Sequence, residues 1–291
     1  MKGERLGIAL ILVQQLFFTL DTAAIHHLGG LISIWQLGLL RSIGGLGLVA
    51  CLAPSVGWSV YRTHHPGLQA IRATVTVAYG WVTVYSFAVM PFADATAIAY
   101  TYAIYVALLA PLILGEIVGS RRYLAIAIGA IGAMLIVKPG FSQASLIYLG
   151  VLIFTSLNAI AIILNKYLQQ KGESPVTVML YIYLAMFPTF APGITEPWPF
   201  ELWPWLIAAC VTGPLGMYAG ILAVRHADTT TLAPFTYVRL LLATAGASLM
   251  FGEPPDIASI SGATAIVVAC VLSDRQLMTS ISSKMRFRLG Y

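Results

Sequence analysis

Residues 88–116 read AVMPFADATAIAYTYAIYVALLAPLILGE, and residues 223–253 read AVRHADTTTLAPFTYVRLLLATAGASLMFGE. Each segment has an Ala-Val opening, an Asp, a run of small and hydroxyl residues, an aromatic cluster, a long apolar stretch and a closing Gly-Glu. The copies differ by two residues in length and begin 135 residues apart. This similarity indicates an internal repeat, so the chain is predicted to consist of two related halves.

The composition is that of a membrane protein. Hydrophobic residues make up 59% of the chain and charged residues only 9%, whereas a soluble domain carries about 25% charged residues. The first apolar run, from Leu6 to about Ile25, has no cleavage site of a signal peptide and is predicted to be a membrane helix. The three cysteines are isolated, which favours packing over a disulfide or metal site. The net charge of +5 comes from basic residues scattered in short loops, which does not indicate nucleic-acid binding.

Apolar stretches separated by short loops predict ten membrane spans. They cover roughly residues 6–25, 31–53, 69–90, 95–114, 123–138, 146–165, 175–192, 203–224, 229–251 and 257–274. With the N-terminus in the cytoplasm, thirteen Lys and Arg residues fall on or near the inner side and only Lys138 falls outside. The positive-inside rule therefore predicts a multi-pass protein of the inner (plasma) membrane with both termini cytoplasmic.

The predicted topology sets the orientation of each repeat segment relative to the membrane. The first Gly-Glu, ending at Glu116, lies on the inner side, and the second, ending at Glu253, lies on the outer side. Because each half contains an odd number of spans, residues 1–140 and 141–291 are predicted to be inverted relative to each other. Inverted halves that enclose a site near the membrane midplane are the recurring architecture of secondary transporters.

The two segments that end in Gly-Glu resemble those of the drug/metabolite transporter superfamily, EamA type. Arg41 in the second span, the small-residue fifth span from Ala125 to Gly140, and Pro234 are further similarities. The resemblance covers about residues 6–274. It implies an all-α fold of ten helices in two inverted five-helix repeats. The run LAPFTYVRLLLATAGASLMFGEPPD is also similar to members linked to S-adenosylmethionine uptake, which makes that compound a minority candidate among metabolites.

Several polar residues within the spans are candidate substrate ligands. Asp21 lies late in the first span, and Gln14, Phe18 and Asp21 share one helical face that could line a pathway. An ionised side chain in hydrocarbon is costly, so Asp21 is expected to have a specific role or a partner. In the functional interpretation it carries a proton or binds a cationic group. In the structural interpretation it is solvated near the interface or paired with Arg41. Arg41 itself has two open interpretations, as a ligand of a substrate carboxylate or as a structural partner of Asp21.

The ninth span presents a choice between two residues. Tyr237 and Arg239 are two positions apart on a helix and therefore point to nearly opposite sides. We expect Tyr237 to face inward and Arg239 to pair with a neighbouring helix. Gly213, Pro214 and Pro234 are predicted to break or bend the eighth and ninth spans and to serve in gating.

Aromatic residues and an amide near mid-span complete the predicted binding site. An aromatic-lined cavity suits a flat, partly apolar or cationic ligand. The alternative for aromatic residues is placement at the membrane interface, which fits Trp35 better than Trp81. For Asn158 a cavity role and a helix–helix hydrogen bond are equally open. The set comprises Trp81, Tyr85, Tyr102, Asn158, Tyr183, Tyr218 and, from the ninth span, Tyr237 and Arg239.

Two contacts outside the binding site are also predicted. Glu116 is expected to stabilise a helix end or to pair with Arg121 or Arg122. Small-residue faces at Ala125/Gly129/Ala133 and at Ala258/Gly262 permit close helix contact, either inside the protein or across a dimer seam.

These features predict a secondary active transporter that moves a small organic metabolite by alternating access. Aromatic, cationic and amino-acid-like substrates all fit, and the coupling partner is a proton or an exchanged solute. We expect no catalytic residue, metal or cofactor, and either a monomer or a homodimer in the lipid bilayer. The alternative is a membrane-embedded transferase enzyme, which would need a clustered nucleophile, base or metal site. The histidine pairs have no carboxylate nearby at ligand spacing.

Overall fold

A computed structural model describes residues 2–28, 31–89, 98–138, 146–251 and 257–273, and the regular structure in these ranges is entirely helical. The longer helices are α1 (Lys2–Leu28), α2 (Ile34–Val56), α3 (Pro66–Val89), α4 (Tyr102–Leu114), α5 (Ser120–Val137), α6 (Leu146–Gln170), α7 (Pro175–Phe190), α8 (Trp203–His226), α9 (Val238–Phe251) and α10 (Ile257–Ser273). Short 3₁₀ segments lie at Trp58–Tyr61, Ala191–Thr195, Phe200–Leu202 and Ala233–Tyr237, and a one-turn helix at Thr229–Leu232. Glu253, the Asp94 segment and the basic tail lie outside the described residues.

The helices have the length and composition of membrane spans. Six of them are long and apolar enough to cross a bilayer: Gly3–Ile25, Ile34–Val56, Ser120–Val137, Tyr148–Gln170, Pro175–Thr195 and Phe200–His226. Shorter apolar helices lie at Ile98–Leu114 and Ile257–Ser273. The predicted membrane character is therefore confirmed. The ten-crossing topology and the inversion of the halves stay predictions.

Local sequence signals fix where several helices begin. Ser33 and Gln36 form a capping box before α2: the Ser33 hydroxyl accepts from the Gln36 amide at 3.2 Å, and the Gln36 side chain accepts from the Ser33 amide at 2.8 Å. Ser174 caps α7, whose first residue is Pro175. These caps satisfy backbone donors that have no partner within the helix.

Glycines let the helices pack backbone against backbone. On α2, a Cβ added at Gly44 would lie 1.8 Å from the carbonyl oxygen of Cys210 in α8, and one at Gly45 would lie 2.3 Å from the ring of Tyr183 in α7. On α5, a Cβ at Gly132 would lie 2.7 Å from the carbonyl oxygen of Gly262 in α10. The small-residue faces of α5 and α10 thus pack against each other inside the protein.

Replacing Gly132 with Leu should destabilise the protein, because no side chain fits between α5 and α10. Overpacking typically costs about 1–3 kcal/mol, so the apparent Tm of the purified protein should fall. Gly47→Leu in α2 is the matched control, since a Cβ there meets no atom within 4 Å. Equal Tm values for the two variants would contradict the close contact.

Helix α8 has no break at Pro214, so of the two predicted outcomes only a bend stays a prediction, whereas the interruption at Pro234 is confirmed. Helix α8 continues from Trp203 through Pro214 to His226. Proline is tolerated within membrane helices where surrounding groups satisfy the freed carbonyl, and here the carbonyl of Cys210, four residues earlier, faces Gly44 of α2. Pro234 lies in the 3₁₀ segment that separates the one-turn helix from α9. A gating role for Gly213, Pro214 and Pro234 stays a prediction.

Candidate functional site

The predicted polar face of α1 packs against a row of glycines on α8. Gln14 fits over Gly220 and Phe18 over Gly216, where an added Cβ would lie 2.3 Å and 2.7 Å from those side chains. Asp21 and Arg41 both lie close to Gly213, at 3.3 Å and 3.2 Å from an added Cβ. Gly213 was predicted to break or bend the span, and in the structure Gly213, Gly216 and Gly220 provide room for side chains of α1 and α2.

Asp21 and Arg41 form an ion pair between α1 and α2, as one of the two sequence interpretations predicted. The Asp21 side chain is only 3% exposed, whereas that of Arg41 remains 33% exposed. The hydroxyl of Thr212 on α8 lies 3.5 Å from the other carboxylate oxygen. The Nε atom of Arg41 is buried and has no hydrogen-bond partner among the described residues. Asp21 is therefore held in place, while Arg41 keeps donor capacity for a ligand.

Arg239 brings a second cation to the same place from the other half of the sequence. Its guanidinium donates a hydrogen bond to the Thr22 hydroxyl and lies over the Phe18 ring at 5.6 Å from the centroid. The predicted pairing of Arg239 with a neighbouring helix is confirmed. Arg239 thus contacts the stretch of α1 that also carries Asp21 of the ion pair.

Tyr183 lies beside this region on α7. The residue is fully buried against Gly45 of α2. Gly45 is one helical turn from Arg41, so Tyr183 packs on α2 close to the partner of Asp21.

A separate aromatic cluster joins α2, α3 and α7. The rings of Trp35 and Trp81 meet edge to face at 4.8 Å between centroids, and Trp81 stacks on Phe190 at 5.8 Å. Gly38 lets Phe190 approach α2 closely, and the Trp35 ring contacts both Trp81 and Phe190. The interfacial placement of Trp35 stays a prediction. The side chain of Tyr85 lies outside the described part of the chain.

The remaining predicted ligands are distributed through the bundle. Tyr102 packs with residues of α4 and α6, and Asn158 is half-buried on α6. Tyr218 packs in the cluster that includes Tyr183. Tyr237 is fully buried: its ring lies against Gly129 of α5, 5.8 Å from the Tyr100 ring, and its hydroxyl has no hydrogen-bond partner among the described residues. Tyr237 thus faces the protein interior next to α5, whereas Arg239 is the residue beside Phe18.

A second polar network links Glu116, at the end of the first repeat segment, to the one-turn helix Thr229–Leu232 in the second repeat segment. One Glu116 carboxylate oxygen accepts from the Thr229 amide at 2.9 Å and from Lys166 at 3.0 Å. The other oxygen accepts from the Thr230 amide at 3.2 Å. Glu116 therefore stabilises a helix end, as predicted, and the carboxylate occupies the positive end of the one-turn helix. The four side chains Glu116, Lys166, Asp228 and Arg122 are called the ion network below.

The partners of Glu116 differ from the predicted ones. Glu116 pairs with Lys166, whereas Arg122 pairs with Asp228 at 2.9 Å and Lys166 bridges to Asp228 at 3.2 Å. The Glu116 side chain extends to Thr229 and Thr230 in the connection between α8 and α9. It therefore does not pair with Arg121 or Arg122 in the first turn of α5. Lys166 and Asp228 were missed as functional candidates because the segments that meet here are far apart in sequence.

Electrostatics reinforces the ion network. Burial would raise the pKa of Glu116, but the charge of Lys166 and the hydrogen bonds from Thr229 and Thr230 outweigh it and lower the pKa below its ordinary value. Burial would also raise the pKa of Asp228, but Lys166 and Arg122 outweigh this effect and lower the pKa below its ordinary value. Both carboxylates therefore stay ionised at neutral pH.

The described residues contain no group of three His, Cys, Asp or Glu side chains placed to hold a metal ion. His27 stacks on Trp205 at 4.0 Å between ring centroids, and the backbone amides of His64 and His65 donate to Glu173.

A solved crystal structure superposes on this fold with a TM-score of 0.82 at 17% sequence identity, covering 94% of this chain and 98% of the other. No family model matches the chain. The curated proteins to which the chain is similar are transporters of small molecules, in agreement with the predicted resemblance to drug/metabolite transporters.

Three relatives illustrate the relationship. The chain is 25% identical over 273 residues to the pseudopaline exporter of Pseudomonas aeruginosa, covering 92% of this chain and 96% of that protein. It is 28% identical over 230 residues to a riboflavin transporter of Brucella anthropi, covering 76% and 80%. It is 22% identical over 283 residues to an S-adenosylmethionine uptake transporter of Rickettsia prowazekii, covering 96% and 95%. These names support a small-molecule transporter over the transferase alternative.

Proposed function

We propose that the protein is a secondary active transporter of a small organic metabolite that works by alternating access. The observation that carries the proposal is that Arg239 contacts Thr22 and Phe18 on α1, next to the residue Asp21 that pairs with Arg41. Charged side chains within membrane helices are costly and mark substrate or ion pathways. These residues come from both halves of the sequence, so relative movement of the halves would change the site.

The topology we propose is ten spans in two inverted five-helix repeats, residues 1–140 and 141–291. Both termini lie in the cytoplasm, and the protein resides in the inner membrane. The distribution of Lys and Arg supports this orientation. In this arrangement the ion network lies on the cytoplasmic side. The start of α1 is cytoplasmic, and an added Cβ at Gly3 would lie 3.4 Å from the carbonyl oxygen of His226 at the end of α8. His226 is two residues before Asp228 of the ion network.

The described conformation suggests a transporter closed towards the cytoplasm. In the ion network the side chains of Glu116 and Lys166 are only 4% and 11% exposed. Near Asp21, by contrast, Thr22 is exposed and Arg239 is half-exposed. We therefore propose that a ligand reaches Arg41 and Arg239 from the outer side while the ion network blocks the inner side.

The charges define a substrate class. Arg41 and Arg239 suit a carboxylate, Asp21 suits an amine or sulfonium cation, and the neighbouring aromatic rings suit a flat or cationic group. An amino-acid-like compound with an aromatic or cationic portion would use all three features. Riboflavin and S-adenosylmethionine, named for two relatives, each fit part of this description.

A ligand screen tests the proposal. We expect the purified protein to gain thermal stability with one class among amino acids, S-adenosylmethionine, flavins, nucleosides and amines, because a ligand of the folded state stabilises it. The stabilising compound, radiolabelled, should then accumulate in proteoliposomes that contain the protein. The control is the Arg41→Gln variant, which should lose both effects. Stabilisation without accumulation would argue against transport and for a receptor or enzyme.

The energy source is proposed to be a proton gradient or an exchanged solute. Asp21 is the candidate proton carrier, because it is a nearly buried carboxylate whose partner Arg41 is itself accessible to a ligand. Uptake driven by an imposed pH gradient, compared with uptake driven by internal substrate, separates the two possibilities.

A further inference from the structure

A buried arginine without an acidic partner lies between α3 and α6. Arg72 is among the largest fully buried side chains, with 1% of its surface exposed. None of the ion pairs among the described residues includes it. Its Nε donates to the Asn165 side-chain oxygen at 2.5 Å, but its Nη1 is buried without a hydrogen-bond partner. A buried charge left unpaired is expensive, so this arrangement requires a compensating group.

Neighbouring amides have unused capacity as well. Gln69 lies one turn before Arg72 on the same side of α3 and is completely buried, yet neither its nitrogen nor its oxygen has a partner. Gln169 lies one turn after Asn165 on α6 and donates to the Ile221 carbonyl at 2.9 Å, while its oxygen is unpartnered. Buried polar groups are normally satisfied by protein, water or a bound ligand. Arg72 and Gln69 on α3 thus keep buried donors without a partner, beside one positive charge.

We propose that Arg72 and Gln69 form a binding site for a small monovalent anion, with Asn165 holding the guanidinium in place. The Arg72 Nη1 group and the Gln69 amide nitrogen would donate to the anion, and its charge would neutralise the guanidinium. Water would satisfy the hydrogen bonds but would leave the charge uncompensated. The shared chemistry fits chloride or a small carboxylate such as formate or acetate.

The site differs from the proposed substrate site and does not depend on which metabolite is carried. Asn165 is adjacent in sequence to Lys166, which belongs to the ion network. An anion that holds α3 against α6 would therefore steady the helix that presents Lys166 to Glu116.

Anion titration of the purified protein tests the site. Protein prepared in sodium gluconate, whose anion is too large for the site, is titrated with chloride, formate or acetate at constant sodium concentration. The wild-type Tm should rise by a few degrees and saturate. Arg72→Gln should abolish the rise, whereas Arg62→Gln, an exposed arginine in the loop before α3, should keep it. Gln69→Leu keeps the cation, and it should weaken the apparent anion affinity at least fivefold.

A direct measurement covers the case in which Arg72→Gln does not fold. Chloride-35 NMR should show line broadening with wild-type protein, and bromide should reverse it by competition. A response to chloride alone assigns an inorganic anion, and a response to formate or acetate as well extends the site to carboxylates. Absence of any response in the wild type, or equal responses in wild type, Arg72→Gln and Gln69→Leu, would overturn the proposal.

Discussion

Asp21→Asn should reduce uptake at least tenfold and remove its dependence on pH. The substitution keeps the shape of the side chain but removes the charge that pairs with Arg41. Removing one partner of a largely buried ion pair leaves the other charge uncompensated, which is strongly unfavourable. The measurement is initial uptake of the ligand found in the screen, in proteoliposomes between pH 5.5 and 8. Glu4→Gln is the control in the same helix and should retain pH-dependent uptake.

The double variant separates a structural from a transport role. Asp21→Asn combined with Arg41→Gln removes both charges, so it should recover thermal stability relative to Asp21→Asn alone. If Asp21 and Arg41 serve transport, uptake should remain low in the double variant despite the recovered stability. Recovery of uptake together with stability would show that the pair only holds α1 and α2 together. Unchanged uptake of Asp21→Asn at every pH would remove Asp21 from the mechanism.

Glu116→Gln should open the side of the protein that the ion network closes. The carboxylate accepts hydrogen bonds from Thr229, Thr230 and Lys166, and a neutral amide cannot replace its charge. We expect uptake to fall at least tenfold because the variant stays open towards the cytoplasm. The probe is a cysteine placed at Thr231, which is fully buried beneath the network, in a protein whose native cysteines are replaced.

Labelling of Thr231→Cys by a membrane-impermeant thiol reagent from the cytoplasmic side should rise at least fivefold in Glu116→Gln. Glu173→Gln is the matched control. It removes another buried carboxylate, which accepts from Thr63 and the His64 amide but lies outside the ion network. Equal labelling in Glu116→Gln and in the parent protein would contradict a gating role of Glu116.

The ion network should not respond to pH near neutrality. The folded-state pKa values of Glu116 and Asp228 are lowered, so their contribution is fully present above the ordinary carboxyl pKa of about 4. It is lost only as the pH falls through the lowered values. Labelling of Thr231→Cys should therefore be the same at pH 7.5 and 5.5. A marked increase at pH 5.5 would mean that another group controls closure.

The sequence identified helices and individual polar residues, but it did not identify the residues that they contact in the folded protein. The spacing of Gln14, Phe18 and Asp21 identified one face of α1, because helical periodicity depends only on local sequence. That this face meets Gly213, Gly216 and Gly220 of α8 could not be derived, since the contact joins residues about 200 positions apart. The same holds for Lys166, whose role depends on the distant Glu116.

Glycine and proline in the sequence did not by themselves predict where a helix is interrupted. Gly213-Pro214 has the composition of a helix interruption, yet the helix continues, because in this protein the glycines serve contact with α1. Pro234 has similar neighbours in sequence and does interrupt its span. Arg72 escaped notice because an arginine near the start of a predicted span is usually an orientation signal at the interface. Its burial is visible only when α3, α6 and α7 are assembled.

The glycine row of α8 has a consequence for movement. Gln14, Phe18 and Asp21 each occupy a notch, and near the helix ends an added Cβ at Gly7 would lie 2.6 Å from the Cβ of Ala227. Sliding one helix along the other would have to lift all of these side chains out of their notches at once. We therefore expect α1 and α8 to travel as a single rigid pair that serves as the pivot about which the remaining helices rock.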